Sequence, residues 1–199
     1  MSVAAERVDG GRRRFLLVAT AVTGAVGAGL AAIPFLASWR PSARAQALGA
    51  PVEVDVSKLE PGQLVKVEWR GKAIYVVHRT PAMLEQLERD AELLRDPDST
   101  ESEQPDFAAN AARALKPEYL VVVGVCTHLG CAPLARLEAD DAELGAGWPG
   151  GFYCPCHGSK FDLSGRVFKD VPAPTNLTVP PYQFLADNRI LIGSETGAA

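Results

Sequence analysis

Two stretches, VCTHLGC at 125–131 and CPCHGSKF at 154–161, decide how this chain reads. Only 22 residues separate them, yet together they hold all four cysteines and two of the three histidines in 199 residues. Both read as loops, with glycine in the first and proline and glycine in the second. Cysteine sulfur and imidazole nitrogen are donors for soft and borderline metals, so two donor-rich loops suggest a centre shared between them.

Three arrangements are open. Zinc takes four nitrogen or sulfur ligands in a tetrahedron, and six candidates leave two over. Two disulfides suit an exported protein but give the histidines no part. The third arrangement takes one cysteine and one histidine from each loop, Cys126 with His128 and Cys154 with His157. That leaves Cys131 and Cys156, one per loop, free to bridge. Two thiolates for one iron and two neutral imidazoles for the other are what an asymmetric [2Fe–2S] cluster needs. Replacing thiolate by imidazole removes negative charge from one iron, which raises the potential to about −150 to +300 mV from about −400 mV for all-cysteine clusters. Each imidazole also keeps a second nitrogen that can carry a proton.

The rest of the chain sets the context. With 47% hydrophobic and 22% charged residues, it can form one ordinary core plus accessories. A net charge of −4 and the lack of a basic stripe exclude nucleic acid as a partner. Phe15 to Trp39 is a run of 25 uncharged residues, about 37 Å as a helix against a hydrocarbon core of about 30 Å. Arg12 and Arg13, a pair followed by Phe15 and Leu16, resemble a twin-arginine export signal. They predict a cytoplasmic segment at 1–14, a lipid-spanning anchor at 15–39, and a remainder beyond the far membrane face. A cleaved signal peptide ending at ARA (Ala43–Ala45) is the alternative, but its apolar region would run only about 7–15 residues.

Residues 40–51 are Ala-rich with no apolar face and predict a hinge-like linker, about 15 Å long if helical and about 35 Å if extended. A domain follows over 52–199. VEVDVSKL (52–59) alternates, LVKVEW (64–69) and AIYVVHR (73–79) predict a hairpin, and YLVVVGV (119–125) a buried strand leading to Cys126. PAMLEQLERDAELLR (81–95) has helical spacing, and 96–118 is polar and predicts a surface excursion. FDLSGRV (161–167) reads as a hairpin, 171–185 as a Pro-rich cover, RILIG (189–193) as a last strand, and 194–199 as a frayed tail. His78 reads as a strand-end residue, Trp69 and Trp148 as packing anchors, and Trp39 as an interfacial aromatic.

The pattern C-x-H-x25-C-x2-H, with the extra cysteines, the single anchor, the long 80–118 insertion and VPAPTNL at 171–177, resembles the Rieske iron–sulfur family. Within it, the chain is similar to the membrane-anchored subunits of quinol:cytochrome c reductase (cytochrome bc1) complexes. The resemblance implies an all-β antiparallel sandwich with a small cluster-binding subdomain at about 119–180. It implies one [2Fe–2S] cluster on Cys126, His128, Cys154 and His157, and a Cys131–Cys156 disulfide. It makes Ser159 a donor to a cluster sulfur, Pro172, Ala173 and Pro174 the loop that covers the cluster, and His157 with Leu129 the face that meets quinol. Phe161 departs from the family, where tyrosine often supplies another donor, and Val171 stands where glycine is often found. The implied setting is the bacterial inner membrane, in a dimeric complex with cytochrome b and cytochrome c1 subunits. An electron would pass from quinol to cytochrome c1 through movement of a periplasmic head. The small Rieske subunit of an arsenite-oxidase-type complex and a tethered structural zinc domain are the alternative readings.

Overall fold

The computed structural model describes residues 9–194, so residues 1–8 of the expected N-terminal segment and all but Ser194 of the expected frayed tail lie outside it. The chain divides into two compact units, residues 1–47 and 48–199.

The first unit is dominated by α1 (Gly10–Ala37), a 28-residue helix with no buried residue. It begins before the apolar run because Asp9 caps it, accepting from the backbone N–H groups of Gly11 at 2.9 Å and Arg12 at 3.3 Å. Arginines are good helix formers, so the twin pair continues the helix instead of preceding it. The Thr23 hydroxyl donates to the Ala19 carbonyl within the helix at 2.8 Å, which satisfies a polar group without water. Among the described residues, this is the one helix long and apolar enough to cross a membrane.

Residues Ala43–Gly49 form a short helix, α2, whose start is capped by Ser42 accepting from the Ala45 N–H at 3.2 Å. Alanine-rich sequence favours helix even without an apolar face. The second unit begins at Leu48, whose carbonyl accepts the Arg70 N–H at 3.0 Å.

Among its described residues the second unit contains nine strands: β1 (Val52–Asp55), β2 (Leu64–Trp69), β3 (Lys72–His78), β4 (Tyr119–Val123), β5 (Leu134–Arg136), β6 (Gly151–Cys154), β7 (Ser159–Phe161), β8 (Tyr182–Ala186) and β9 (Arg189–Ile192). They form three antiparallel sheets ordered β1-β9-β8, β2-β3-β4 and β5-β6-β7. Ile74 to Val77 are buried consecutively, as are Leu120 to Val122. Consecutive burial instead of alternation means that both faces of this sheet are covered.

A strand was not foreseen at β5, β6 or β7. These elements have three or four residues each, so periodicity has too few positions to act on. Tyr182–Ala186 is likewise a strand, not part of the Pro-rich cover.

Helix α3 (Pro81–Arg89) is shorter than the spacing predicts, because the chain leaves it at Asp90 to pair elsewhere. Leu94 bridges to Phe168, and the Arg95 N–H donates to the Val167 carbonyl at 3.0 Å. The polar 96–118 stretch is also more than a surface excursion, since Asp96, Ser99, Ala108, Arg113 and Ala114 are buried.

Arg113 belongs to a polar network around the 162–166 turn. Arg166 pairs with Asp162 at 2.8 Å and donates to the Leu87 carbonyl at 2.8 Å. Arg79 donates to Ser164 Oγ at 2.7 Å, and Arg113 to the Ser164 carbonyl at 3.2 Å. Burial pushes both Arg79 and Arg113 down to about 10, with the Asp162 carboxylate opposing it. Both therefore remain charged near neutral pH.

Candidate metal centre

The two donor loops share one local design. β4 delivers the chain to Cys126, whose carbonyl accepts the Gly130 N–H at 3.0 Å. β6 ends at Cys154, whose carbonyl accepts the Gly158 N–H, also at 3.0 Å. Gly130 and Gly158 have φ of +82° and +76°, a region that glycine enters without a Cβ clash. Each loop is thus a tight turn with a histidine on it, His128 in one and His157 in the other.

Tyr75 joins this end to the core. Its hydroxyl donates to the Pro133 carbonyl at 2.8 Å, and its ring stacks on Phe152 with centroids 5.9 Å apart. A Cβ on Gly124 would come within 2.5 Å of that ring, so only glycine lets β4 pass over it.

Cys131 and Cys156 form a disulfide, which closes a sequence separation of 25. This excludes the arrangement with two disulfides, because Cys126 and Cys154 are both free and both buried. The Cys154 sulfur lies within 4.8 Å of both bridged sulfurs. Those three sulfurs are not a ligand set, since a disulfide offers no thiolate. Burial pushes the Cys126 thiol up, and the adjoining Cys154 adds to this, while the His128 N–H and the Ser159 side chain work against it.

The rings of His128 and His157 stand edge to face with centroids 4.8 Å apart. His128 is half-buried, His157 is exposed, and Leu129 is 71% exposed beside them. The centre therefore has a buried sulfur side and an open imidazole side.

Of the remaining expected site residues, Ser159, Phe161 and Ala173 are buried. Ser159 is fully buried, accepts the Ala173 N–H at 3.0 Å, and lies beside the Cys126 thiol. Phe161 is fully buried and faces Phe152 across β6 and β7. Pro172 and Pro174 are exposed on either side of buried Ala173. The Thr127 hydroxyl donates to the Thr175 carbonyl at 2.7 Å, which ties the first loop to the segment after the prolines. Arg12 and Arg13 lie in the other unit, at the start of α1.

This donor set fits a [2Fe–2S] cluster. Two free buried thiols lie side by side, the two loop histidines stand ring to ring, and the two surplus sulfurs are withdrawn into a disulfide. The residues not foreseen here are Thr127 and Tyr75. A hydroxyl that bonds to a carbonyl tens of residues away carries no periodic or spacing signal.

Comparison with known proteins agrees. Residues 51–183 match the Rieske [2Fe-2S] domain. Residues 3–42, which include Arg12 and Arg13, match the "Ubiquitinol-cytochrome C reductase Fe-S subunit TAT signal". The head is therefore a Rieske domain, preceded by an export signal.

Three relatives share nearly full length with this chain. Ubiquinol-cytochrome c reductase iron-sulfur subunits from Allochromatium vinosum and Blastochloris viridis are 57% and 47% identical. These alignments cover 99% and 92% of this chain and 95% and 93% of the relatives. The corresponding protein of Bradyrhizobium diazoefficiens is 44% identical over 92% of this chain and 94% of its own. The chain belongs to the family of ubiquinol-cytochrome c reductase iron-sulfur subunits. The apolar helix and the export signal fit a membrane-anchored bacterial subunit.

Proposed function

We propose that the chain is the electron-carrying head of a quinol:cytochrome c reductase, with Cys126, Cys154, His128 and His157 holding one [2Fe–2S] cluster. The observation that carries this reading is that the same two loops bring together two free buried cysteines and, ring to ring, two histidines, one of them open to solvent. Bound there, the cluster supplies one-electron transfer in the range of about −150 to +300 mV.

The chain's own residues do the rest. His157 offers the free ring nitrogen that takes a hydrogen bond, and then a proton, from a quinol hydroxyl. Leu129 supplies apolar contact to the quinol pocket of a cytochrome b subunit. Ser159 donates toward sulfur and favours the more negative, reduced charge state. Pro172, Ala173 and Pro174 keep water from the sulfur side.

α1 anchors the subunit in the inner membrane with the head on the periplasmic side, in a dimeric complex. Residues 40–51 let the head travel from cytochrome b to cytochrome c1. Deleting Ala45–Ala47 removes about 10 Å of extended reach. Quinol-driven reduction of cytochrome c should fall at least tenfold, with the electron paramagnetic resonance spectrum of the reduced membranes unchanged. Full turnover would overturn the travelling head. Absence of an iron–sulfur spectrum in the unaltered protein would overturn the whole reading, since zinc is silent.

A further inference from the structure

Asn176 follows the covering prolines and is 1% exposed, yet nothing in the proposed chemistry uses it. Its side chain is fully engaged. Oδ1 accepts the Val167 N–H at 2.8 Å, which fixes the orientation of the amide. Nδ2 then donates to the Asp96 carbonyl at 3.0 Å and to Ser99 Oγ at 2.9 Å, with Asp96 Oδ2 at 3.3 Å. Its backbone N–H donates to Ser102 Oγ at 3.0 Å, and the Ser102 hydroxyl donates to Asp96 Oδ2 at 2.6 Å.

The partners on the far side all belong to the 96–102 segment. Burial alone would raise the Asp96 carboxyl, but donors from Ser102, Thr100 and Glu101 outweigh it and hold it below the ordinary carboxylate range. The segment is thus an anionic acceptor cluster that needs donors, and Asn176 is the donor supplied by the covering loop. Because buried amides are costly when unpaired, this loop has one position in which all these groups are satisfied.

That position has a consequence three residues earlier. Ala173 donates its N–H to Ser159 Oγ at 3.0 Å, so an acceptor position of the hydroxyl is occupied and its hydrogen is left for the sulfur to which the proposed function has it donate. A loop free to shift would let Ser159 rotate, and the donor to sulfur would be lost without any change at Ser159 itself.

We infer that Asn176 is a positioning residue for the redox site: by clamping the Pro172–Pro174 loop to residues 96–102, it fixes the Ala173 N–H and, through it, the direction of the Ser159 hydroxyl. The inference rests on the cluster being held at Cys126 and its three partners. It assigns the insertion between β3 and β4 a part in setting the reduction potential.

The test is a redox titration, followed by electron paramagnetic resonance, of the full chain in its membranes. It compares the unaltered protein, Asn176→Ala, Ser159→Ala and the double variant. Asn176→Ala should weaken reduction about tenfold, equivalent to about 59 mV for a one-electron couple. The double variant should titrate with Ser159→Ala alone, because the lost donor is the same one. Ser102→Ala, which removes the acceptor for the Asn176 N–H and one donor to Asp96 but leaves the Asn176 amide in place, should shift in the same direction by less. It decides the matter if Asn176→Ala does not assemble a cluster.

An unchanged potential together with a lowered melting temperature would reduce Asn176 to a structural role and overturn the inference. So would a further drop when Asn176→Ala is added to Ser159→Ala. Both results would leave the cluster assignment intact, whereas an unaltered protein without an iron–sulfur spectrum would remove both.

Discussion

The β2-β3-β4 sheet and the β5-β6-β7 sheet lie in the same unit but are held together differently. In the first, side chains from Ile74 to Val77 and from Leu120 to Val122 pack on both faces, so each residue shares its role with several neighbours. In the second, short strands carry the donor loops, and their position depends on individual bonds: one disulfide, one buried ion pair, and hydroxyl or amide contacts from Thr127, Ser159 and Asn176. Packing tolerates small losses, while a sole hydrogen bond or ion pair does not. The site end depends on those single bonds to bring its two cysteine- and histidine-bearing loops together.

Substitutions in the two regions should therefore differ in size. The largest loss is expected at Arg166→Met, which leaves Asp162 buried and without its cation and should cost about 4 kcal/mol in denaturant unfolding. A loss below about 1 kcal/mol would mean that the network is not what holds the 162–166 turn. Replacing Cys131 and Cys156 together by alanine reopens a 25-residue separation. That should remove about 3 kcal/mol on the chain-entropy account. Cluster retention in membranes should fall with it, as measured by iron content.

In the core sheet, Ile74→Val should cost only about 1 kcal/mol, with no change in iron content or potential. A change in potential from this substitution would erase the distinction between the two regions. The subtlest effect belongs to Phe161→Tyr, which restores the donor that relatives often have. Redox titration should show a higher midpoint with unfolding free energy nearly unchanged, and an equal or lower midpoint would count against hydroxyl tuning at this position.

The division between the regions also explains what was legible in the sequence. The β2–β3 hairpin, β4 and β9 follow from apolar runs and turn residues, which act over a few positions. α1 follows from apolar length, although its start at Gly10 is decided by Asp9. The division of the four cysteines into one bridged pair and one free pair is legible because each of the two short loops carries one of each. What stayed hidden depends on distant partners. α3 ends early because Leu94 pairs with Phe168, and Arg113 is buried because it reaches the carbonyls of Ser164 and Gly165. Asn176 matters because of Asp96, 80 positions away in sequence. None of these partners is adjacent in sequence, so neither composition nor periodicity could show them.

The central claim is that one centre takes nitrogen from both loops and sulfur from both loops. Electron spin echo spectroscopy of the reduced protein measures it most directly, because it resolves nitrogen nuclei coupled to the unpaired electron. The account predicts two strongly coupled imidazole nitrogens in the unaltered protein. It also predicts loss of this two-nitrogen signature when either His128 or His157 is replaced by cysteine. A reduced signal with no strongly coupled nitrogen, or one that keeps both after such a replacement, would contradict it.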